Sequence, residues 1–135
     1  MKIITISLLG TSIIFLITAC AKSTPQSKII QVDENNDKGT VELRVGDQIE
    51  ISLPGNPTTG YSWTISTVDK TILEPLGEPE YKPKGDALGA GGRFTLRLKA
   101  IAAGETWVEM TYSQSFSLED IPPENKYQIL VKVTN

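Results

Sequence analysis

The sequence predicts an all-β domain, a sandwich or barrel of short antiparallel strands. Three observations carry that class. Apolar and polar side chains alternate in six separate segments, turn-forming residues divide those segments, and no stretch sustains a capped helical period. Alternation suits a half-buried strand because successive side chains point to opposite faces of a sheet.

The first residues stand apart from this pattern. Met1-Lys2 is a short basic start, and Ile3 to Ile17 is apolar apart from scattered Thr, Ser and Gly. The run is shorter than the roughly 20 apolar residues of a spanning helix and reads as a secretory signal peptide, residues 1–19. It ends in Thr18-Ala19-Cys20, which resembles the lipobox of bacterial lipoproteins. That resemblance implies acylation of the Cys20 thiol and cleavage just before it. Cys20 is the only cysteine, so lipidation also accounts for an otherwise unpaired thiol in an exported chain. An ordinary signal peptide with a chance cysteine is the plainer alternative. The polar, proline-containing residues 20–27 then form a lipidated N-terminus and flexible tether, and residues 28–135 form the domain.

The strands follow in order. Val41, Leu43 and Val45 alternate with polar residues, then Ile49, Ile51 and Leu53, then Tyr61, Trp63 and Ile65. Phe94, Leu96, Leu98 and Ala100 form the cleanest case. Thr106 to Tyr112 is the next strand, and Tyr127, Ile129, Val131 and Val133 close the chain. Val45-Gly46-Asp47 and Ala103-Gly104-Glu105 supply turns between them. Trp63, placed on a central strand, resembles the buried tryptophan of immunoglobulin-like sandwiches, without the disulfide that usually packs on it. Tyr61 shares its face, so its ring is expected to be at least partly buried.

Composition removes several functions. The chain has no histidine, which excludes Ser-His-Asp and Cys-His catalysis and the commonest transition-metal ligand. Loss of Lys2 with the signal leaves 12 basic against 16 acidic side chains, a net charge of −4 with no basic patch for nucleic acid. Asp33, Asn35 and Asp37 alternate as in a calcium loop, but the turn glycine comes one place late and Arg44 stands where the bidentate glutamate belongs. A polar turn is the better reading. No motif marks paired carboxylates or a Ser-Lys dyad, so the chain is read as a monomer that is not an enzyme and needs no cofactor.

Three loops carry more specification than chain reversal demands. In Pro54 to Gly60, Pro57 fixes its own φ and pushes Asn56 out of the helical region, and Thr58 and Thr59 are stiff at χ1. Gly60 permits a left-handed exit. Such a loop is either a preorganised binding element or a well-made turn. The second, Lys82 to Phe94, is rich in glycine (Gly85, Gly89, Gly91, Gly92) and lacks the Lys-Ser/Thr of a phosphate-binding loop. The third, Ser113 to Lys126, carries Phe116 and the rigid Pro122-Pro123. Phe116 either folds back on the core or makes a contact.

Together the loops resemble those of the chagasin-like inhibitors of papain-family cysteine peptidases. The first motif of that family, Asn-Pro-Thr-Thr-Gly-Tyr/Phe-x-Trp, is matched by Asn56, Pro57, Thr58, Thr59, Gly60, Tyr61 and Trp63. The second, Gly-x-Gly-Gly, is matched by Gly89, Ala90, Gly91 and Gly92. The third, Arg/Gln-Pro-Trp/Phe after a Thr-Tyr strand end, is matched by Gln114, Ser115 and Phe116 with the proline missing. The resemblance covers the chain from about Thr40 onward. It implies an immunoglobulin-like antiparallel β-sandwich with three functional loops at one end. It also implies a wedge: Thr58-Thr59 lies against the catalytic cysteine and histidine of the peptidase without offering a cleavable bond, while the other two loops grip the rims. An envelope-anchored interaction or adhesion module with the same sandwich is the alternative, favoured if Phe116 is buried and the three loops fail to converge. A carboxylate or Ser-Lys enzyme would require a pocket with two close titratable groups.

Overall fold

The computed structural model describes residues 25–87, 89–114 and 122–135. Among these residues nine strands run in order: β1 (Ile29–Asp33), β2 (Thr40–Arg44), β3 (Gln48–Gly55), β4 (Tyr61–Thr67), β5 (Leu73–Pro75), β6 (Glu80–Pro83), β7 (Gly92–Ala100), β8 (Gly104–Gln114) and β9 (Asn125–Thr134). Only two short 3-10 turns accompany them among the described residues, Glu34–Asn36 and Pro57–Thr59.

The strands form two sheets. One has the order β1-β3-β7, with β5 and β6 sharing the far edge of β7; the other has the order β2-β9-β8-β4. The alternating residues named from sequence meet between them. Ile49, Ile51 and Leu53 face inward with Leu96, Leu98 and Ala100, against Val108, Met110, Ile129 and Val131 of the other sheet. All are essentially inaccessible to water, and burial of an aliphatic side chain of this size stabilises by about 1.5–3 kcal/mol. Outward positions carry polar pairs instead, such as Glu50 on β3 opposite Arg97 on β7, with Arg97 Nε 2.7 Å from the carboxylate.

Four features depart from the sequence reading. Trp63 is buried, but β4 is the edge of its sheet, not its centre. Burial comes from the opposite sheet, and the indole Nε1 donates to the Pro54 carbonyl at 2.9 Å, which satisfies the one polar atom it takes inside. Strands β1, β5 and β6 were not anticipated: β5 and β6 have only three and four residues, too few to display a period, and end in prolines that suit edge strands, while β1 buries a single residue, Val32, fully. Two outer pairs, β1 with β3 and β2 with β9, are parallel within an otherwise antiparallel sandwich. The chain crosses from one sheet to the other between β1 and β2 through Glu34–Asn36, so the two strands never form a hairpin. Val45, assigned to a strand face, is exposed in the turn after β2.

The Asp33–Asp37 stretch is a polar turn. Asp33 caps Glu34–Asn36 by accepting from Asn35 N at 2.9 Å, and Asp37 accepts from Gln128 N at 2.9 Å. Both carboxylates are committed to the chain itself, and no group of three metal-ligating side chains occurs among the described residues.

Candidate functional site

β3 and β8 deliver the chain to one end of the sandwich, and β4 and β7 leave from it. This juxtaposes the first two loops and the start of the third. Within the first, Asn56 organises everything. It is the extended N-cap of the Pro57–Thr59 turn, with proline at the first helical position and Gly60 in the left-handed region at φ 82°. Its Oδ1 accepts from Thr58 N at 3.1 Å and from the Thr58 hydroxyl at 2.6 Å. Its carbonyl accepts from the Thr59 hydroxyl at 2.7 Å. Thr58 and Thr59 are therefore exposed at the tip with both hydroxyls already hydrogen-bonded inside the loop.

Two longer connections hold that loop in place. Tyr112, near the end of β8, accepts from Asn56 N at 2.8 Å through its hydroxyl. Asn56 Nδ2 donates to the Gly89 carbonyl at 3.3 Å, which ties the first loop to the second. Below them lies an aromatic cluster centred on Tyr112, whose ring centroid is 5.4 Å from Tyr61, 5.2 Å from Trp63 and 6.4 Å from Phe94. Tyr81 continues it, 5.1 Å from Phe94. Gly55 must be glycine here: a Cβ would come within 2.7–2.8 Å of the Phe94 ring and 3.1 Å of the Tyr112 ring. Tyr61 is half-buried by this stacking, as expected.

The second loop is shorter than its sequence limits. Lys82 and Pro83 belong to β6, and Gly92 to Phe94 belong to β7, leaving residues 84–91 as the connection. Lys84 N donates to the Gly91 carbonyl at 3.0 Å and Ala90 N to the Ala87 carbonyl at 3.2 Å. Gly89 and Gly91 both have positive φ, so the Gly-x-Gly-Gly pattern meets a conformational need. A groove of about 570 Å³ separates Pro54-Gly55 from Ala90–Arg93, with Lys82 and Lys84 on its wall. Arg93 is spoken for: its guanidinium bonds Ser52 and pairs with Glu34 at 2.5 Å, which holds the Glu34 carboxyl below its usual range.

Of the third loop, Ser113 and Gln114 extend β8, with Gln114 exposed opposite Tyr61, and Asn125 and Lys126 open β9. Glu124 N donates to the Tyr112 carbonyl at 2.9 Å, so the loop's return lies against the same tyrosine. Ser115 and Phe116 lie outside the described residues, as does Cys20.

The structure thus brings Asn56, Pro57, Thr58, Thr59, Gly60, Tyr61, Gly89, Ala90, Gly91, Gly92 and Gln114 to one end. It adds Tyr112 as the residue that joins them. Parity was the available signal, because Tyr112 falls in step with buried Val108 and Met110 and therefore points inward at a strand end. Thr58 and Thr59 are the exposed residues at the tip of the first loop. The described residues supply neither a nucleophile–base pair nor a metal site there.

The family model described as Chagasin family peptidase inhibitor I42 matches residues 42–131. Chagasin of Trypanosoma cruzi is 30% identical over 91 residues, covering 64% of this chain and 83% of its own. Among solved structures, the cysteine protease inhibitor EhICP2 from Entamoeba histolytica superposes with a TM-score of 0.68 at 23% identity, covering 82% of this chain and all of its own. PbICP-C, solved in complex with falcipain-2, gives a TM-score of 0.58 at 21% identity over 80% of this chain and all of its own.

Proposed function

This chain belongs to the chagasin family of peptidase inhibitors, and on that premise we propose that it reversibly inhibits papain-like cysteine peptidases by occluding the active-site cleft. The observation that carries this is the loop Asn56–Gly60. Its tip is exposed, its two hydroxyls are satisfied internally, and its base is fixed to Tyr112 and Gly89. A loop already ordered in the free protein loses little entropy on docking, which is where preorganised inhibitors gain affinity. Thr58-Thr59 enters the cleft beside the catalytic cysteine and histidine. A rigid turn of this kind resists the extended conformation that cleavage requires.

Gly89–Gly92 contacts one rim of the cleft, and Gln114-Ser115-Phe116 the other. Standard protease–inhibitor interfaces bury about 800 Å² per partner, within reach of three loops at one end of a sandwich. Phe116 is the aromatic anchor of the third loop. The chain is exported and held at the cell envelope by acyl groups on Cys20; the lipobox-like Thr18-Ala19-Cys20 supports this.

The test is titration of papain and of a cathepsin L-type peptidase with the soluble domain, following hydrolysis of a small fluorogenic substrate. Reversible inhibition is expected, weakened at least tenfold in a Thr58→Ala/Thr59→Ala variant. A folded domain that inhibits neither enzyme overturns the proposal and leaves the interaction module.

A further inference from the structure

The end of the sandwich opposite the reactive loops carries its own pattern. Five large hydrophobic residues are prominently exposed among the described residues, and three of them, Ile29 (52%), Val45 (43%) and Ile101 (41%), flank one turn. That turn is Val45-Gly46-Asp47. Gly46 N donates to the Ala100 carbonyl and Ala100 N to the Asp47 carbonyl, which places Ile101 beside it. Lys28 N donates to the Asp47 carboxylate at 2.9 Å, which places Ile29 beside it as well. Lys28, Arg44 and Lys99 are exposed around the same turn, and none forms an ion pair among the described residues. Asp47, the carboxylate at the centre, is committed to the backbone N–H groups of Lys28 and Arg44. The charges of Lys28 and Arg44 also attract that carboxylate, yet three cations against one committed anion leave the turn net positive. Aliphatic side chains ringed by cations match an interface whose surface is anionic and whose interior is apolar.

Topology says what lies next to this end. β1 runs parallel to β3, and Ile29 pairs with Gln48 at the start of β3, whereas the reactive loop follows the last residue of β3. Residues 25–28 line a cavity of about 760 Å³ at this end, together with Val45 and Asp47. Only four residues separate Cys20 from Pro25, at most about 18 Å of extended chain over the five steps.

We propose that this end, Ile29, Val45 and Ile101 with Lys28, Arg44 and Lys99, seats on the anionic lipid surface in which Cys20 is anchored. The proposal rests on the lipid anchor proposed above. So short a tether keeps the surface at high effective concentration, so a contact too weak to bind vesicles alone still orients the domain. The eight residues of β3 then lift Thr58-Thr59 about 25 Å from the lipid, facing water. The peptidase that this arrangement suits is one arriving from solution.

The experiment uses the chain from Cys20 to Asn135, which retains every described strand. Its single cysteine is coupled to a maleimide phospholipid in nanodiscs of phosphatidylcholine and phosphatidylglycerol. Amide NMR signals are compared with and without spin-labelled lipid headgroups. Signals of Ile29, Val45 and Ile101 should lose more than half their intensity while those of Thr58, Thr59 and Gly89 persist. A Lys28→Glu/Arg44→Glu/Lys99→Glu variant should recover at least twofold of the lost intensity. Uniform broadening, or broadening centred on exposed Trp107, overturns the proposal. Papain titration on the same nanodiscs tests the inhibitor reading independently of orientation. Envelope-extracted protein without acyl groups on Cys20 removes the anchor and the proposal with it.

Discussion

Tyr112→Phe isolates the hydrogen bond that sets the reactive loop. The substitution keeps the ring and so keeps the stacking on Tyr61, Trp63 and Phe94. It removes the hydroxyl that accepts from Asn56 N at 2.8 Å. The same hydroxyl donates to the Asn56 carbonyl at 3.3 Å, but that oxygen retains the Thr59 hydroxyl at 2.7 Å, so the group left without a partner is the N–H. A part-buried donor left without a partner costs about 1–2 kcal/mol. In a domain of this size that lowers Tm by roughly 5–10 °C. If the bond also presets the loop, an equal free energy appears in binding, and about 1.4 kcal/mol is a tenfold rise in the inhibition constant. Both quantities are read from one preparation, Tm by calorimetry and inhibition by papain titration at a temperature where the variant is folded. A lowered Tm with an unchanged inhibition constant refutes the argument, because the bond would then stabilise the sandwich without preorganising its loop.

Other perturbations separate packing, backbone and charge. Gly55→Ala drives a methyl into the Phe94 and Tyr112 rings and should destabilise by about 1–3 kcal/mol, whereas Gly60→Ala meets open space and should cost about 1 kcal/mol through its left-handed φ alone; urea denaturation of both ranks them. The Asp47 carboxyl is held below its ordinary value by the N–H groups of Lys28 and Arg44, so its contribution is full above the unfolded carboxylate pKa and disappears as pH falls through the folded one. Asp47→Asn should therefore be about 1 kcal/mol less stable at pH 7, with the gap narrowing below about pH 4; a constant gap from pH 7 to pH 2 in denaturation curves would contradict this assignment. Ser115→Pro restores the family's third motif and should tighten papain binding; a dissociation constant that stays put or rises counts against a rim contact for that loop.

Sequence alone determined the inner face of the longer strands and the form of the first loop, though not the burial of Val32 and Leu73 or the exposure of Val45. Alternation is a local property: Phe94, Leu96 and Leu98 need no knowledge of their partners to share a face, and the face richest in apolar groups must be the inner one. Asn56-Pro57-Thr58-Thr59-Gly60 likewise encodes its own turn, since N-cap, fixed φ and left-handed exit all act within five residues. Tertiary structure decided the rest. That β4 is an edge, that β1 joins β3 and β2 joins β9 in parallel, and that short β5 and β6 are strands at all depends on which surfaces remain uncovered once the longer strands have paired. The link from Asn56 to Tyr112 spans 56 positions, and that from Asn56 to Gly89 spans 33. A hydrogen bond between residues so distant leaves no periodic trace in the chain, because its geometry exists only after the two sheets have closed on their common core.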